Sequence, residues 1–326
     1  VAVQRKTEVF YLTDAPFVVP TLVSIESLRR WPSAAGLKIS VVLLDIGERP
    51  IDDFKRLSED LQIDVHSLTS EALGSFATDK FNATHVPRAT LARFLISEFF
   101  RDEGADILYL DGDTQFIRDP KILLEFPAPD VGLLAAEDQS YFYAKDVGKT
   151  GSNVRTYFSN IGVTAKQGYF NAGVLKVRAR EWINISRDCL SFLDKNLAIC
   201  QYHDQSALNA VVGSKRTRIS PIWNFKPSYW NWGIDPGLKP KLLHFVGGDK
   251  PWMGKLEAWS ALYPDYMEAV ERRRHLSFPL KIWSEAQQDE RREAEKRQQL
   301  KDQTIFLYRM MRRRAMFRDL IKTSVI

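Results

Sequence analysis

Apolar positions in the first third of the chain switch between strand-like runs and helix-like spacing. Residues 8–12, 37–44 and 63–68 form short apolar runs that predict strands, the first ending at Thr13-Asp14 and the second at Asp45. Between them, residues 20–31 and 51–61 read as helices. Pro87 suits the first turn of a further helix, which carries Leu91, Phe94, Leu95 and Phe99 on one face and leads into the apolar run 107–110. Strand-helix-strand units in succession predict an α/β fold: a mostly parallel sheet with helices on both faces. Ligands of such sheets bind at the carboxyl ends of strands, which is where Asp14 and Asp111 stand. Beyond a buried run at 131–135 that ends in Glu137-Asp138, the stretch to Gly168 has little periodicity and is expected to be a functional loop. A segment at 169–175, a helix over 182–195 and two motif-rich stretches at 203–209 and 242–252 close the globular part.

The run Ile107-Leu108-Tyr109-Leu110 ends in Asp111-Gly112-Asp113. Two carboxylates this close repel unless a cation lies between them, so the motif reads either as an ordinary turn after a strand or as a divalent-metal site. His244, taken alone, reads as a core histidine at a strand edge, and Lys250 as an exposed loop lysine. There is no Gly-x-Gly-x-x-Gly or Walker-type loop, which sets aside the common dinucleotide and P-loop folds.

With 326 residues, 44% of them hydrophobic, the chain can bury a full core. Its two cysteines, Cys189 and Cys200, make no metal or redox spacing, and no stretch is long and apolar enough to span a bilayer. A reducing, cytoplasmic location is therefore expected. The net charge of +5 is unevenly spread, because the stretch 291–326 holds 11 of the 46 basic residues against 4 of the 41 acidic ones. The remaining body is slightly acidic, which argues against nucleic acid as a partner and for an anionic partner of the C-terminus. Within that tail Phe306, Met310, Phe317 and Ile321 fall on one helical face, with Arg309, Arg312, Arg318 and Lys322 away from it and Arg313 and Arg314 at its borders. The division expected is a globular domain over 1–279 and a basic amphipathic tail over 280–326, its apolar face lying in anionic lipid, for which the inner, cytoplasmic face of a membrane is the expected place.

Four motifs in order carry a resemblance: Leu108-Tyr109-Leu110-Asp111-Gly112-Asp113, Phe170-Asn171-Ala172-Gly173-Val174, His203-Asp204-Gln205-Ser206-Ala207-Leu208-Asn209, and His244-Phe245-Val246-Gly247-Gly248-Asp249-Lys250-Pro251-Trp252. Together they resemble glycosyltransferase family 8, retaining enzymes of the GT-A fold, and in particular its bacterial α-galactosyl- and α-glucosyltransferases of lipopolysaccharide or lipooligosaccharide cores. The resemblance implies a metal-dependent hexosyltransferase that uses a UDP-sugar and a glycan or glycolipid acceptor. It implies Asp111, Asp113 and His244 as ligands of Mn²⁺, with Mg²⁺ as the second choice. Donor contacts would come from Thr13, Asp14, Arg93, Asp111, Gly112, Asp138, Asn171, Ala172, Gly247 and Lys250. Pro16 departs from the family, which often has an asparagine there. Gln205 takes the place beneath the anomeric carbon, where an amide is a poor nucleophile, so same-face attack with retention is expected. Asp204 would hold hydroxyls of the donor sugar.

For the acceptor, His85 occupies a contact position of the relatives, whereas Val246 departs from them. Trp230 and Trp232, with Trp223 and Tyr229, suit either stacking on sugar faces or a core. Two other functions fit parts of the pattern. A catalytically idle sugar-nucleotide-binding or lectin-like protein would tolerate loss of the metal residues, and a metal-dependent UDP-sugar hydrolase would need a water-activating base near Asp113.

Overall fold

The computed structural model describes residues 5–47, 59–72, 88–164, 166–234, 238–273, 280–304 and 306–326. Nine strands among these residues are β1 (Thr7–Thr13), β2 (Lys38–Leu44), β3 (Ile63–Leu68), β4 (Asp106–Asp111), β5 (Thr114–Phe116), β6 (Leu133–Glu137), β7 (Phe170–Arg178), β8 (Arg216–Arg218) and β9 (Leu242–His244). The helices are α1 (Val18–Arg29), α2 (Arg88–Ala92), α3 (Lys121–Glu125), α4 (Gln139–Ala144), α5 (Lys149–Asn160), α6 (Ala179–Asn196), α7 (His203–Val212), α8 (Tyr263–Arg272), α9 (Glu285–Gln303) and α10 (Leu307–Thr323).

The main sheet has seven strands in the order β3-β2-β1-β4-β7-β6-β8. It is parallel except around β7, which runs antiparallel to both β4 and β6. The two-residue period of β1 explains how the core divides. Phe10 and Leu12 join Tyr109, Leu175 and the α6 residues Trp182, Ile185 and Cys189 on one face. Val9 and Tyr11 join Val41, Leu108, Leu110 and the α1 residues Val18, Leu22 and Ile25 on the other. Both faces of the central strands are covered, as a parallel sheet requires.

Chain reversal at β7 sets the site. Because Leu110 pairs with Val174, the first residues of β7, Asn171 to Gly173, stand beside the carboxyl end of β4. A second, two-stranded sheet pairs Thr114 of β5 with His244 of β9, which sets Asp113 against His244 although 131 positions separate them in the chain. Phe225 adds a bridge to Leu243, and its carbonyl accepts from His244 N.

The stretch between Asp138 and Gly168 departs from the expected loop. It forms α4 and α5, with Asp138 capping α4 by accepting from Ser140 N at 2.8 Å. Its apolar positions are too sparse to show a helical period, but on Tyr169 Phe158 of α5 stacks face to face and Tyr157 packs edge to face. The predicted helix 51–61 falls largely on residues outside those described, as do Pro87 and His85. After α2 the chain continues as a 3-10 helix, Arg93–Phe99, which still buries Phe94.

The tail corrects the lipid expectation. Met310 and Phe317 lie on the face foreseen, but that face packs on the domain, joining Leu320 with Phe142, Phe225, Tyr229 and Trp232. Arg313, at its border, is buried over the Tyr143 and Trp232 rings and pairs with Asp146. Arg314 donates to the Trp232 carbonyl, and Ser220 N donates to the Ile326 carbonyl at 2.8 Å. An amphipathic face is satisfied by any apolar partner, and aromatic side chains of the domain supply one here. Among the described residues no helix is long and apolar enough to cross a membrane.

Candidate active site

Asp111, Asp113 and His244 converge, their ligand atoms all within 4.8 Å of one another. His244 Nε2 lies 3.2 Å from Asp113 Oδ1 and 3.6 Å from Asp111 Oδ2. The imidazole is aimed from behind. Asn224 donates through Nδ2 to Asn171 Oδ1 at 2.9 Å, so its own Oδ1 accepts from His244 Nδ1 at 2.8 Å and leaves Nε2 as the bare nitrogen. Asp111 is divided in the same way, its Oδ1 accepting from Arg93 and Tyr109 while Oδ2 faces the cluster. Asp113 Oδ2 accepts from Lys250 Nζ at 2.5 Å. Burial pushes the Asp113 carboxyl up, but the Lys250 ammonium, joined by His244 only when no cation is bound and its ring is protonated, outweighs that and holds the group ionised well below the usual carboxylate range.

Two glycines make room. A Cβ on Gly173 would fall on the His244 ring and 2.5 Å from Asp111 Oδ2, so only glycine leaves this cradle open. A Cβ on Gly112 would collide with the Thr21 hydroxyl of α1, so Gly112 also lets the Asp-Gly-Asp turn settle on that helix. Two carboxylate oxygens and an oriented imidazole, with space between them, form a set that could hold a divalent cation.

Behind the cluster sits Arg93, 5% exposed. It donates to the Ala172 carbonyl at 2.8 Å and to Asp111 at 3.0 Å, lies over the Tyr109 ring, and has Nε 3.1 Å from Asp204 Oδ2 as a charge contact. Burial opposes its charge, but Asp204, Tyr109 and Asp111 outweigh that and keep it protonated above its ordinary range. Asp204 moves the other way. Burial, with Asp111 nearby, raises its carboxyl to about 6 in spite of Arg93. The backbone entering α7 is strained, with His203 at φ 45°, a left-handed conformation uncommon for such a residue. Gln205, next but one, accepts through Oε1 from Ala172 N at 3.0 Å and from Asn171 Nδ2 at 3.1 Å.

Two cavities meet at the cluster. The smaller, about 250 Å³, is lined by Thr13, Asp14, Phe17, Arg93, Tyr109, Asp111, Gly112 and Asp113. Burial raises the Asp14 carboxyl there. The larger, about 580 Å³, shares Arg93, Asp111 and Asp113 and adds Asp138, Asn171, Ala172, Asp204, Gln205, His244, Gly247 and Lys250. The predicted metal, donor and catalytic positions thus border one continuous cleft. Gly247, at φ 109°, takes a conformation that favours glycine.

The aromatic expectation divides. Trp232 is buried among Phe142, Tyr143 and Tyr229 and lines neither cavity, a correction that follows from how many rings surround it. Trp230 opens on a separate pocket with Asn231, Glu257 and Gln299. Sequence reasoning missed Asn224 and Lys226. Both flank the buried Phe225 in an extended segment, and Lys226 Nζ donates to Asp138 at 2.7 Å. Alternation of polar residues around one apolar residue was the available signal, too short to separate from a loop.

A mostly parallel α/β sheet that presents a carboxylate-histidine cluster at its strand ends, inside a two-lobed cleft, is the arrangement of a GT-A glycosyltransferase. The chain belongs to glycosyl transferase family 8, whose model matches residues 8–255. It is 26% identical over 282 residues to the lipopolysaccharide glucosyltransferase WaaO of Escherichia coli K12, covering 80% of this chain and 77% of that protein. It is 28% identical over 218 residues to the lipopolysaccharide 1,3-galactosyltransferase of Salmonella typhimurium LT2, covering 62% and 58%. In fold it is similar to the galactosyltransferase LgtC, solved with donor and acceptor sugar analogs, with a TM-score of 0.66, 21% identity, and coverage of 86% of this chain and 98% of that one.

Proposed function

We propose that this glycosyltransferase is metal-dependent and retaining, and moves galactose or glucose from a UDP-sugar to a glycan acceptor of the lipopolysaccharide core. The observation that carries this reading is the Asp111-Asp113-His244 cluster at the junction of the two cavities, with His244 Nε2 left bare by Asn224. Likeness to the two lipopolysaccharide transferases supports the acceptor class. Oxygen ligands with one imidazole favour Mn²⁺ and admit Mg²⁺. Cys189 and Cys200, free and buried, suit a reducing compartment, so we place the reaction on the cytoplasmic side.

A UDP-sugar fits the cleft in one direction. The nucleoside lies in the smaller cavity against Thr13 and Asp14, the diphosphate lies at the cluster, and the hexose lies in the larger cavity beside Asn171, Asp204 and Gln205. A bound divalent cation supplies Lewis-acid neutralisation of the charge that gathers on the leaving diphosphate. Lys250 adds a positive charge beside that position, and Gly247 lines the same wall. Arg93 ties Asp111, Asp204 and the Ala172 carbonyl into one rigid unit, so that the groups facing the sugar are fixed before it arrives.

Gln205 Oε1 already accepts two N–H groups, which leaves it a poor nucleophile and gives it a positioning role. The acceptor oxygen therefore bonds to the anomeric carbon on the face from which the diphosphate oxygen departs. The departing oxygen keeps the electron pair of the broken bond and takes the proton of the acceptor hydroxyl. Incubating the purified protein with UDP-glucose, UDP-galactose and related nucleotide sugars in Mn²⁺ should release UDP, and EDTA should stop that release. Undiminished turnover in EDTA, or no UDP release from any donor, overturns the reading.

A further inference from the structure

Lys226 has no part in the chemistry described above, yet it is 5% exposed and lines the larger cavity. Burying an ammonium is costly unless its charge and its three N–H groups are matched. Its charge is matched by Asp138, at 2.7 Å. Its N–H groups are not, since Asp138 is its only hydrogen-bond partner among the described residues. Asp138, by contrast, is well supplied, accepting also from Ser140 N and Asn171 Nδ2. The pair thus presents unused donors to the cavity and few unused acceptors.

Position within the cleft says what those donors meet. The cluster and Arg93 mark the end shared with the smaller cavity, whereas Lys226 and Asp138 lie with Tyr143 of α4 and Tyr202 in the unshared part. A nucleotide sugar that fills the smaller cavity and spans the cluster places its hexose before this wall and the acceptor against it. Lys226 and Asp138 cancel in charge, and burial holds the neighbouring His203 towards its neutral form. The wall therefore suits a neutral, hydroxyl-rich ring better than a sugar acid.

Resting on the transferase reading, we infer that Lys226 is an acceptor-specificity residue: its ammonium, oriented by Asp138, donates to one hydroxyl oxygen of a neutral hexopyranoside acceptor. Its bland role would be as a counter-charge to Asp138 alone, and the two roles separate experimentally. Initial rates are measured at saturating donor with methyl β-D-galactopyranoside, methyl β-D-glucopyranoside and their monodeoxy analogues, for the full-length wild type, Lys226→Met and Lys226→Arg.

Loss of one hydrogen bond from a charged donor should raise the acceptor KM of Lys226→Met about 10- to 100-fold, with UDP affinity unchanged by calorimetry and partial rescue by arginine. One monodeoxy analogue should show the same loss with the wild type and no further loss with Lys226→Met, because the partner of the missing hydroxyl is already gone. Equal sensitivity of both enzymes to every deoxy position, or an equal loss of UDP affinity, would overturn the assignment and leave Lys226 as a counter-charge. Transfer to no neutral glycoside by a wild type that does consume donor would overturn it too. A wild type that releases UDP from no nucleotide sugar refutes the transferase reading itself, and this inference with it.

Discussion

Replacing Phe317 by alanine tests whether the C-terminal helix belongs to the fold or to a lipid surface. Phe317 is 0% exposed, with ring centroids 5.4 Å from Tyr229, 5.9 Å from Phe225 and 6.1 Å from Phe142. Truncating a buried phenylalanine removes its transfer free energy and leaves a cavity that rigid neighbours cannot close, a cost of about 3–5 kcal/mol. Total stabilities are about 5–15 kcal/mol, so the loss should be plain in a urea titration followed by tryptophan fluorescence. Phe142 lies in α4 between Asp138 and Tyr143, so the cavity also loosens one wall of the cleft. Tyr308→Ala and Met311→Ala, at positions 70% and 58% exposed on the same helix, provide the control and should stay within about 0.5 kcal/mol. Had the predicted lipid-facing reading held, Phe317→Ala would behave like those controls in solution and differ only on anionic vesicles. A loss below about 1 kcal/mol for Phe317→Ala would refute the packing argument.

Three further outcomes follow from the site. Gly173→Ala should lose Mn²⁺ binding by calorimetry, because its methyl lands on His244 and beside Asp111, and the same clash should lower its stability in EDTA by about 1–3 kcal/mol; retained Mn²⁺ affinity would place the cation elsewhere. The product should be α-linked from an α-linked donor, with Gln205→Ala slowed rather than dead, since positioning and not covalent chemistry is lost; a β-linked anomer in the NMR spectrum would contradict same-face attack. Transfer should rise with pH through about 6 as Asp204 ionises, and Asp204→Asn should lose that limb. The same group acts oppositely on stability. Its folded carboxyl is raised from 3.8, so its contribution is fully present below that value and lost as pH rises through about 6, on the order of 3 kcal/mol in all. Urea titrations of wild type and Asp204→Asn across that window would show no difference in pH dependence if the raised carboxyl were not real.

Local pattern was enough for the elements that carry their own period. The apolar run of Val9 to Leu12 and the helix read over 182–195 are properties of contiguous residues, and β1 and α6 stand where those patterns put them. Asp14 and Asp111 were placed at strand ends by the same logic. What contiguous residues do not encode is their partner. Reversal of β7 decides that Gly173 stands against Asp111, and the pairing of Thr114 with His244 closes the cluster across 130 positions. The apolar face of α10 was visible in the chain, but an amphipathic period states only that a face must be covered and not by what. Domain rings cover it here. Lys226 shows the same limit from the polar side, for a lysine is costly to bury only once the fold has buried it, and only the fold sets Asp138 2.7 Å away.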